Sequence, residues 1–308
     1  MDYNKIEVFE NYIVIKEVKN FKLKQIFECG QIFRFEEIAE DNFIVIAFGK
    51  LIELKADGNN IIIYNTSEED FNNIWLNYFD LKRDYSAVKK ELSKDNLLRQ
   101  SIEFGYGVRV LNQDPFEILI SFIISARNNI PSIKKTVNKI STKWGNKIDF
   151  KGNTYYAFPT IDQIKDATLE EIQETGASFR SKYIIDTIQN LYSATKEIQC
   201  LDNNEEKSFM KYDLNYIKSL NDDECHIALQ EFKGVGAKVA DCIMLFSMGK
   251  SSAFPVDVWV KRAMIHFYGA EEGSLNKIRI FGRNKFGDLS GFAQQYLFYY
   301  ARENNIKV

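Results

Sequence analysis

The segment Phe232-Lys233-Gly234-Val235-Gly236-Ala237-Lys238-Val239-Ala240-Asp241-Cys242 constrains this chain more than any other stretch. Asp222 to Phe232 before it and Lys238 to Met248 after it read as helices, with Lys233 to Ala237 as a tight turn between them. Two glycines allow positive φ there and leave the turn backbone bare. Bare N–H groups ahead of a helix N-terminus form a seat for phosphate. A plain helix–helix turn would use the same glycines, so the turn alone leaves both readings open.

Lys238 falls in the first turn of the second helix. The positive end of the helix dipole disfavours an ammonium at that place and so favours the neutral amine. A partly desolvated amine can form Schiff bases, whereas an ordinary lysine after a turn is a surface charge. Nineteen residues further on comes Asp257, in Phe254-Pro255-Val256-Asp257, just before the helix-like Val258-Trp259-Val260-Lys261-Arg262-Ala263. An N-cap aspartate accepts backbone N–H bonds, which keep it ionised. An ionised carboxylate beside a sugar can stabilise a developing oxocarbenium ion, so cap and catalytic role are compatible.

The first third reads as β-rich. Asn42 to Phe48 and Asn60 to Tyr64 are short β-branched and aromatic runs, and Asp57-Gly58-Asn59-Asn60 is a turn signal. An antiparallel sheet with one face covered is expected there, and helical patterns from about residue 68 to the end. Asp114-Pro115-Phe116-Glu117 carries an N-cap, a proline at the first helical position and a capping-box glutamate. The helix it opens, through Ile118 to Ile124, is apolar nearly all round and belongs at the centre of a bundle. The fold class is therefore α+β. An N-terminal sheet domain is expected over 1–105 and a helical domain over 106–308, with the hairpin at about 222–248.

The net charge of −3 does not advertise a nucleic-acid partner. Acidic clusters at Glu68-Glu69-Asp70, Glu205-Glu206 and Asp222-Asp223-Glu224 set that balance. Over 233–285, however, nine Lys/Arg face four Asp/Glu (241, 257, 271, 272). A local basic surface matters more for phosphate binding than the total, although a solvated charged face would look the same. The four cysteines (29, 200, 225, 242) form no CxxC pair. That argues against zinc fingers and a disulfide framework and for a reducing cytosol. Neither a signal peptide nor a membrane-length apolar run is present.

Taken together, these residues resemble one family, the helix-hairpin-helix DNA glycosylases and specifically the 8-oxoguanine DNA glycosylases. The likeness is carried by the hairpin, Lys238-Val239-Ala240-Asp241-Cys242, Pro255-Val256-Asp257 and Gly30-Gln31-Ile32-Phe33-Arg34, and it covers nearly the whole chain. It implies that a damaged nucleotide is flipped out of the duplex. Lys238 would attack C1′, the base would leave, and the Schiff base would permit β-elimination of the 3′ phosphate. Asp257 would hold Lys238 and stabilise positive charge on the sugar. Gly30 would supply a backbone carbonyl to N7–H of 8-oxoguanine, which opposes the lone pair that guanine carries there. Gln294 would bond the Watson–Crick edge, with Phe298 and Cys242 on the two faces of the base. Gln294 and Phe298, four residues apart, share a helix face.

Arg127, Asn128, Phe179 and Arg180 match the region that fills the gap in the duplex, with Phe179 as an aromatic wedge. Gly234, Val235, Gly236 and Trp259 match phosphate-contacting positions. The family chemistry uses no cofactor and no catalytic metal, and the resemblance allows a structural cation at the hairpin carbonyls. The implied partner is double-stranded DNA containing 8-oxoguanine, bound by a monomer with no membrane. The implied location is the cytoplasm, in a prokaryote the nucleoid.

The chain departs from the better-known members at three places. Arg127-Asn128-Asn129 stands for an Asn-Asn-Asn run, Ser132 for an arginine, and Trp259 for a histidine. The first two changes remove side chains that address the opposite cytosine, so weaker discrimination of the opposite base is expected. Two other readings compete. A glycosylase for another damaged base is one, although no cysteine after Cys242 could complete an iron–sulfur cluster. A non-catalytic hairpin clamp is the other; it would need Gly234 and Gly236 but neither Lys238 nor Asp257.

Overall fold

The β-branched runs of the first third pair into one antiparallel sheet. Its strands are β1 (Lys5–Val8), β2 (Tyr12–Lys16), β3 (Phe35–Ala39), β4 (Asn42–Ala47), β5 (Lys50–Asp57) and β6 (Asn60–Tyr64), in the order β1-β2-β6-β5-β4-β3. The structure is a computed structural model that describes residues 1–200, 210–271 and 273–305. Glu205, Glu206 and Glu272, counted among the acidic residues above, lie outside the described residues, as does the side chain of Cys200.

Register follows the buried face. Ile13 pairs with Ile63 and Ile15 with Ile61 across β2 and β6, and Leu54 pairs with Ile63 across β5 and β6. All five are buried, so a one-residue slip would turn this set to solvent. The turn at Asp57 to Asn60 forms as expected, with Gly58 at φ 58°. Helix α1 (Leu23–Glu28) covers the apolar face. Its Phe27 ring lies 5.2 Å from that of Phe43 and 5.6 Å from that of Phe35.

The longer helices that follow are α2 (Tyr85–Leu92), α3 (Asn96–Phe104), α4 (Pro115–Ser125) and α5 (Ile130–Trp144). After them come α6 (Ser181–Cys200), α7 (Asp222–Leu229), α8 (Ala237–Ser247), α9 (Val258–Tyr268), α10 (Leu275–Phe286) and α11 (Ser290–Glu303).

The sequence places a domain boundary near residue 105; by packing, the chain forms two discontinuous compact units. One unit comprises Met1–Val45, Leu51–Asn112 and Gly249–Val308; the other comprises Ile46–Lys50 and Gln113–Met248. In the first, α11 packs against α3 and α9. Gln295 Nε2 donates to Cys29 O at 2.7 Å, Tyr296 OH to Val108 O at 3.3 Å, and Tyr268 OH to Asp95 at 2.9 Å. Buried side-chain bonds of this kind tie the last helices to the sheet unit.

In the second unit α4 is the central helix that its composition predicts. Phe116 and every residue from Ile118 to Ile124 are buried, and α5, α6 and α8 pack around it. Asp114 caps it by accepting the Glu117 N–H at 2.9 Å, with Pro115 in the first turn. A helical pattern was expected to the end of the chain, yet β7 (Lys147–Phe150) and β8 (Asn153–Tyr156) form a separate hairpin. Lys151 at φ 49° and Gly152 at φ 80° make its two-residue turn, the geometry that strand twist favours.

Candidate functional site

Gly30 follows the C-terminus of α1 at φ 82°, at a helix exit. A β-carbon built there would lie 3.0 Å from Phe298 Cε1 and 3.3 Å from Arg302 Nη1, so only glycine fits without displacement. The structure thus brings together two residues that the sequence separates by most of its length. Gln294 lies on α11 one turn before Phe298 and is buried, yet its Oε1 has no hydrogen-bond partner among the described residues. Leaving a buried amide oxygen unpaired costs about 1–3 kcal/mol. Such an orphan calls for an account, and an acceptor poised for a ligand's donor is one.

Asp257 caps α9, as its position after Pro255 predicts, and accepts the Val260 N–H at 2.8 Å. Trp259 lies in the first turn of the same helix, with the Arg262 guanidinium 5.2 Å from its ring centroid. Gly30, Asp257, Trp259, Gln294 and Phe298 all belong to the sheet-containing unit. The remaining predicted site residues belong to the helical one.

There, the hairpin takes the expected form, with α7 ending at Leu229 and α8 starting at Ala237. The two glycines differ. Gly234 has φ 87°, and a β-carbon on it would meet Tyr183 Cδ2 at 2.7 Å. Gly236 is extended (φ −97°, ψ 178°), caps α8, and would have open space around a β-carbon. Positive φ, which both glycines allow, is taken only by the first.

Val235, between them, is buried, with its N–H donated to Phe232 O at 3.0 Å. Lys238, in the first turn of α8, is half-buried and makes no hydrogen bond or ion pair among the described residues. Its Nζ sits 5.5 Å from the Phe122 ring centroid, against the buried α4. Cys242, one turn on and so on the same helix face, is buried.

Arg127 and Phe179 are presented by unusual backbone. Arg127 has φ 52°, Gly176 φ 93° and Ser178 φ 59°. Left-handed non-glycine residues carry strain of order 1–3 kcal/mol and persist where the surroundings hold them. Arg180 does the holding. Although it was expected at the DNA, it is buried, donating through Nε and Nη2 to Ala126 O (2.7 and 2.5 Å) and through Nη2 to Arg127 O (3.0 Å). The aromatic beside it stays outside: Phe179 is 46% exposed, its ring 4.4 Å from the Arg180 guanidinium. Asn128 turns inward to donate to Ile124 O at 3.1 Å. Ser132 sits in the first turn of α5, its N–H given to Asn129 Oδ1 at 3.0 Å.

Sequence reasoning missed the residues that brace these groups. Gln31 is fully buried; its Nε2 donates to Ile26 O (2.9 Å) and Arg109 O (2.7 Å), and its Oε1 accepts the Leu111 N–H (2.9 Å). His226 braces the hairpin, with Nε2 3.2 Å from Ala237 O and Nδ1 3.1 Å from Gln230 Nε2. The amide N–H on Nδ1 assigns the proton to Nε2, which then donates to Ala237 O. The i, i+4 spacings of 226 with 230 and of 298 with 302 were the available signals, and neither is specific.

Two family descriptions match adjoining stretches of the chain. Residues 13–119 match the 8-oxoguanine DNA glycosylase N-terminal domain, and residues 120–283 match the HhH-GPD superfamily base excision DNA repair protein. The fold superposes on Clostridium acetobutylicum 8-oxoguanine glycosylase/lyase, solved in complex with double-stranded DNA containing cytosine opposite to 8-oxoG. The TM-score is 0.92 and the identity 55%, over 99% of this chain and 100% of that one. An Arabidopsis thaliana protein named N-glycosylase/DNA lyase OGG1 is 30% identical over 88% of this chain and 75% of its own. A Methanothermobacter thermautotrophicus protein named probable N-glycosylase/DNA lyase is 29% identical over 74% of each chain.

Proposed function

The chain belongs to the 8-oxoguanine DNA glycosylases of the HhH-GPD superfamily, and from that premise we propose how its own residues do the work. It is a bifunctional base-excision repair enzyme, a DNA N-glycosylase and abasic-site lyase acting on 8-oxoguanine in duplex DNA. The target nucleotide leaves the stack, because its glycosidic bond is inaccessible inside it. The Lys238 amine attacks C1′ and the base departs with the glycosidic electron pair. The imine that follows acidifies the C2′ proton, whose loss expels the 3′ phosphate. Asp257, whose carboxylate accepts the Val260 N–H, offsets positive charge on the sugar.

The observation that carries the base assignment is the orphaned Gln294 Oε1. It is an acceptor on the α11 face where Phe298 closes on Gly30, and the Watson–Crick edge of a guanine-type base offers N–H donors. The Gly30 carbonyl accepts no hydrogen bond among the described residues. It is available to the N7–H that only the oxidised base carries. Phe298 and Cys242 are proposed on the two faces of the base.

Phe179, exposed on its strained turn, is proposed as the wedge, with Arg127 and Asn128 beside it. Arg180 fixes the Ala126 and Arg127 carbonyls at the base of the Arg127 turn. The backbone at Gly234, Val235 and Gly236, together with Trp259, is proposed to address phosphates, so affinity should fall with salt.

A structural cation fits the hairpin only through backbone oxygens, the ligands that hard cations take. Phe232 O and Gly236 O are engaged by Val235 N–H and Ala240 N–H, which leaves those of 233–235. No described helix is long and apolar enough to cross a membrane. A monomer acting on cytoplasmic or nucleoid DNA completes the reading. Incubation with a duplex holding one 8-oxoguanine tests it: free 8-oxoguanine and a nicked strand are expected. Intact strand with no base released would contradict it.

A further inference from the structure

One end of α11 reaches back to the exit of α1 through a side chain that the proposed chemistry does not use. Arg302, four residues after Phe298, donates through Nη2 to Glu28 O at 2.5 Å. Glu303 holds the same guanidinium, with Oε1 2.9 Å from Nε and 2.8 Å from Nη2. That fixes the plane of the group and directs Nη1 at Gly30, 3.3 Å from where a β-carbon would stand. The guanidinium carbon lies 5.2 Å from the Phe298 ring centroid, within cation–π range. One planar cation therefore touches both walls of the Gly30–Phe298 gap, the backbone on one side and the ring on the other. The neighbouring carbonyl is fastened from the same helix, because Gln295 Nε2 donates to Cys29 O at 2.7 Å.

The consequence concerns carbonyl supply. The last carbonyls of a helix lack intrahelical partners and point along its negative end. Here the donors from α11 engage those of residues 28 and 29, and the next, Gly30 O, is left open among the described residues. Without Arg302, the tie to Glu28 O and the cation on the Phe298 ring are lost, leaving the Gln295 bond to Cys29 O to link α11 to this loop exit.

We infer that Arg302 is a positioning residue for lesion recognition: it sets the spacing between Phe298 and the Gly30 carbonyl and so governs how strongly 8-oxoguanine is preferred over guanine. This rests on the proposed roles of Gly30 and Phe298. A base held at the wrong height neither meets the carbonyl with its N7–H nor is repelled by it with a lone pair. Both selectivity and excision rate then fall, as misplacement of about 1 Å at a reacting group is enough to do.

The test compares wild type, Arg302→Met and Arg302→Lys on three readouts. These are single-turnover excision of 8-oxoguanine opposite cytosine, nicking of a preformed abasic site, and the ratio of affinities for lesion and undamaged duplexes. Methionine keeps an apolar stem over the ring and removes every donor; lysine retains one charged donor for Glu28 O. Arg302→Met should lower excision by about tenfold and narrow the affinity ratio, with nicking changed less than about twofold, since a baseless site needs no base recognition. Arg302→Lys should recover most of both losses. Wild-type excision and preference in Arg302→Met would overturn the inference. So would equal loss of excision and nicking unrelieved by lysine, which would assign Arg302 to stability alone. Failure of wild type to release any 8-oxoguanine would instead overturn the functional reading beneath it.

Discussion

Phe298 stands so close to Gly30 that a β-carbon on the glycine would lie 3.0 Å from its Cε1. Because Gly30 also sits at φ 82°, steric room and backbone conformation both demand glycine there. Gly30→Ala should cost about 1–3 kcal/mol of stability, a fall of several degrees in Tm. It should reduce 8-oxoguanine excision by about 100-fold or more and spare nicking of a preformed abasic site. Equal loss of both activities would place Gly30 outside base recognition.

The two hairpin glycines should behave differently. Gly234→Ala meets Tyr183 at 2.7 Å and forces a left-handed alanine, so about 1–3 kcal/mol of stability should be lost. Gly236→Ser introduces a favoured N-cap into open space and should leave stability unchanged or raised by a few tenths of a kcal/mol. If the bare backbone at 236 faces phosphate, the same serine should weaken duplex binding by about tenfold at fixed salt. Thermal melts and binding titrations of both variants separate fold from DNA contact.

Opposite-base discrimination should be weak. Arg127 is exposed, Asn128 donates to Ile124 O, and Ser132 offers only a short hydroxyl. Excision rates for 8-oxoguanine opposite each of the four bases are expected within about 100-fold of one another, since a hydrogen bond to a single remaining charged group contributes about 1.5–3 kcal/mol. A cytosine preference of 100-fold or more would show that other residues read the partner strand.

Cys29, next to Gly30, should be chemically silent in the native protein. Complete burial pushes its thiol up to about 11, so about one molecule in a thousand carries the thiolate at pH 8. Alkylation at that pH, followed by peptide mass spectrometry, should leave Cys29 unmodified until denaturant is added. Rapid native labelling would mean that the loop at 28–31 opens.

Much of this was legible where the signal is local. Asp257 reads as a cap from the proline two residues before it, and Asp114 as a cap from Pro115; both accept the expected N–H groups. Legibility stopped where tertiary packing decides. Nothing local says that α11 returns to the sheet unit, because that rests on bonds such as Gln295 to Cys29 across most of the chain. Arg180 reads as a DNA contact by resemblance and Arg302 carries no specific local signal, yet packing buries the first and leaves little of the second exposed. The hairpin at 147–156 carries no stronger local signal than Lys151-Gly152 at its turn, between helical patterns on either side.

The central claim is that Lys238 is the nucleophile, and borohydride trapping tests it most directly. With a duplex holding one 8-oxoguanine opposite cytosine, the reductant should convert the imine into a permanent protein–DNA adduct. Wild type should give that adduct and Lys238→Gln, with unchanged thermal stability, should not. An adduct of equal yield from Lys238→Gln would contradict the account and move the nucleophile to another amine.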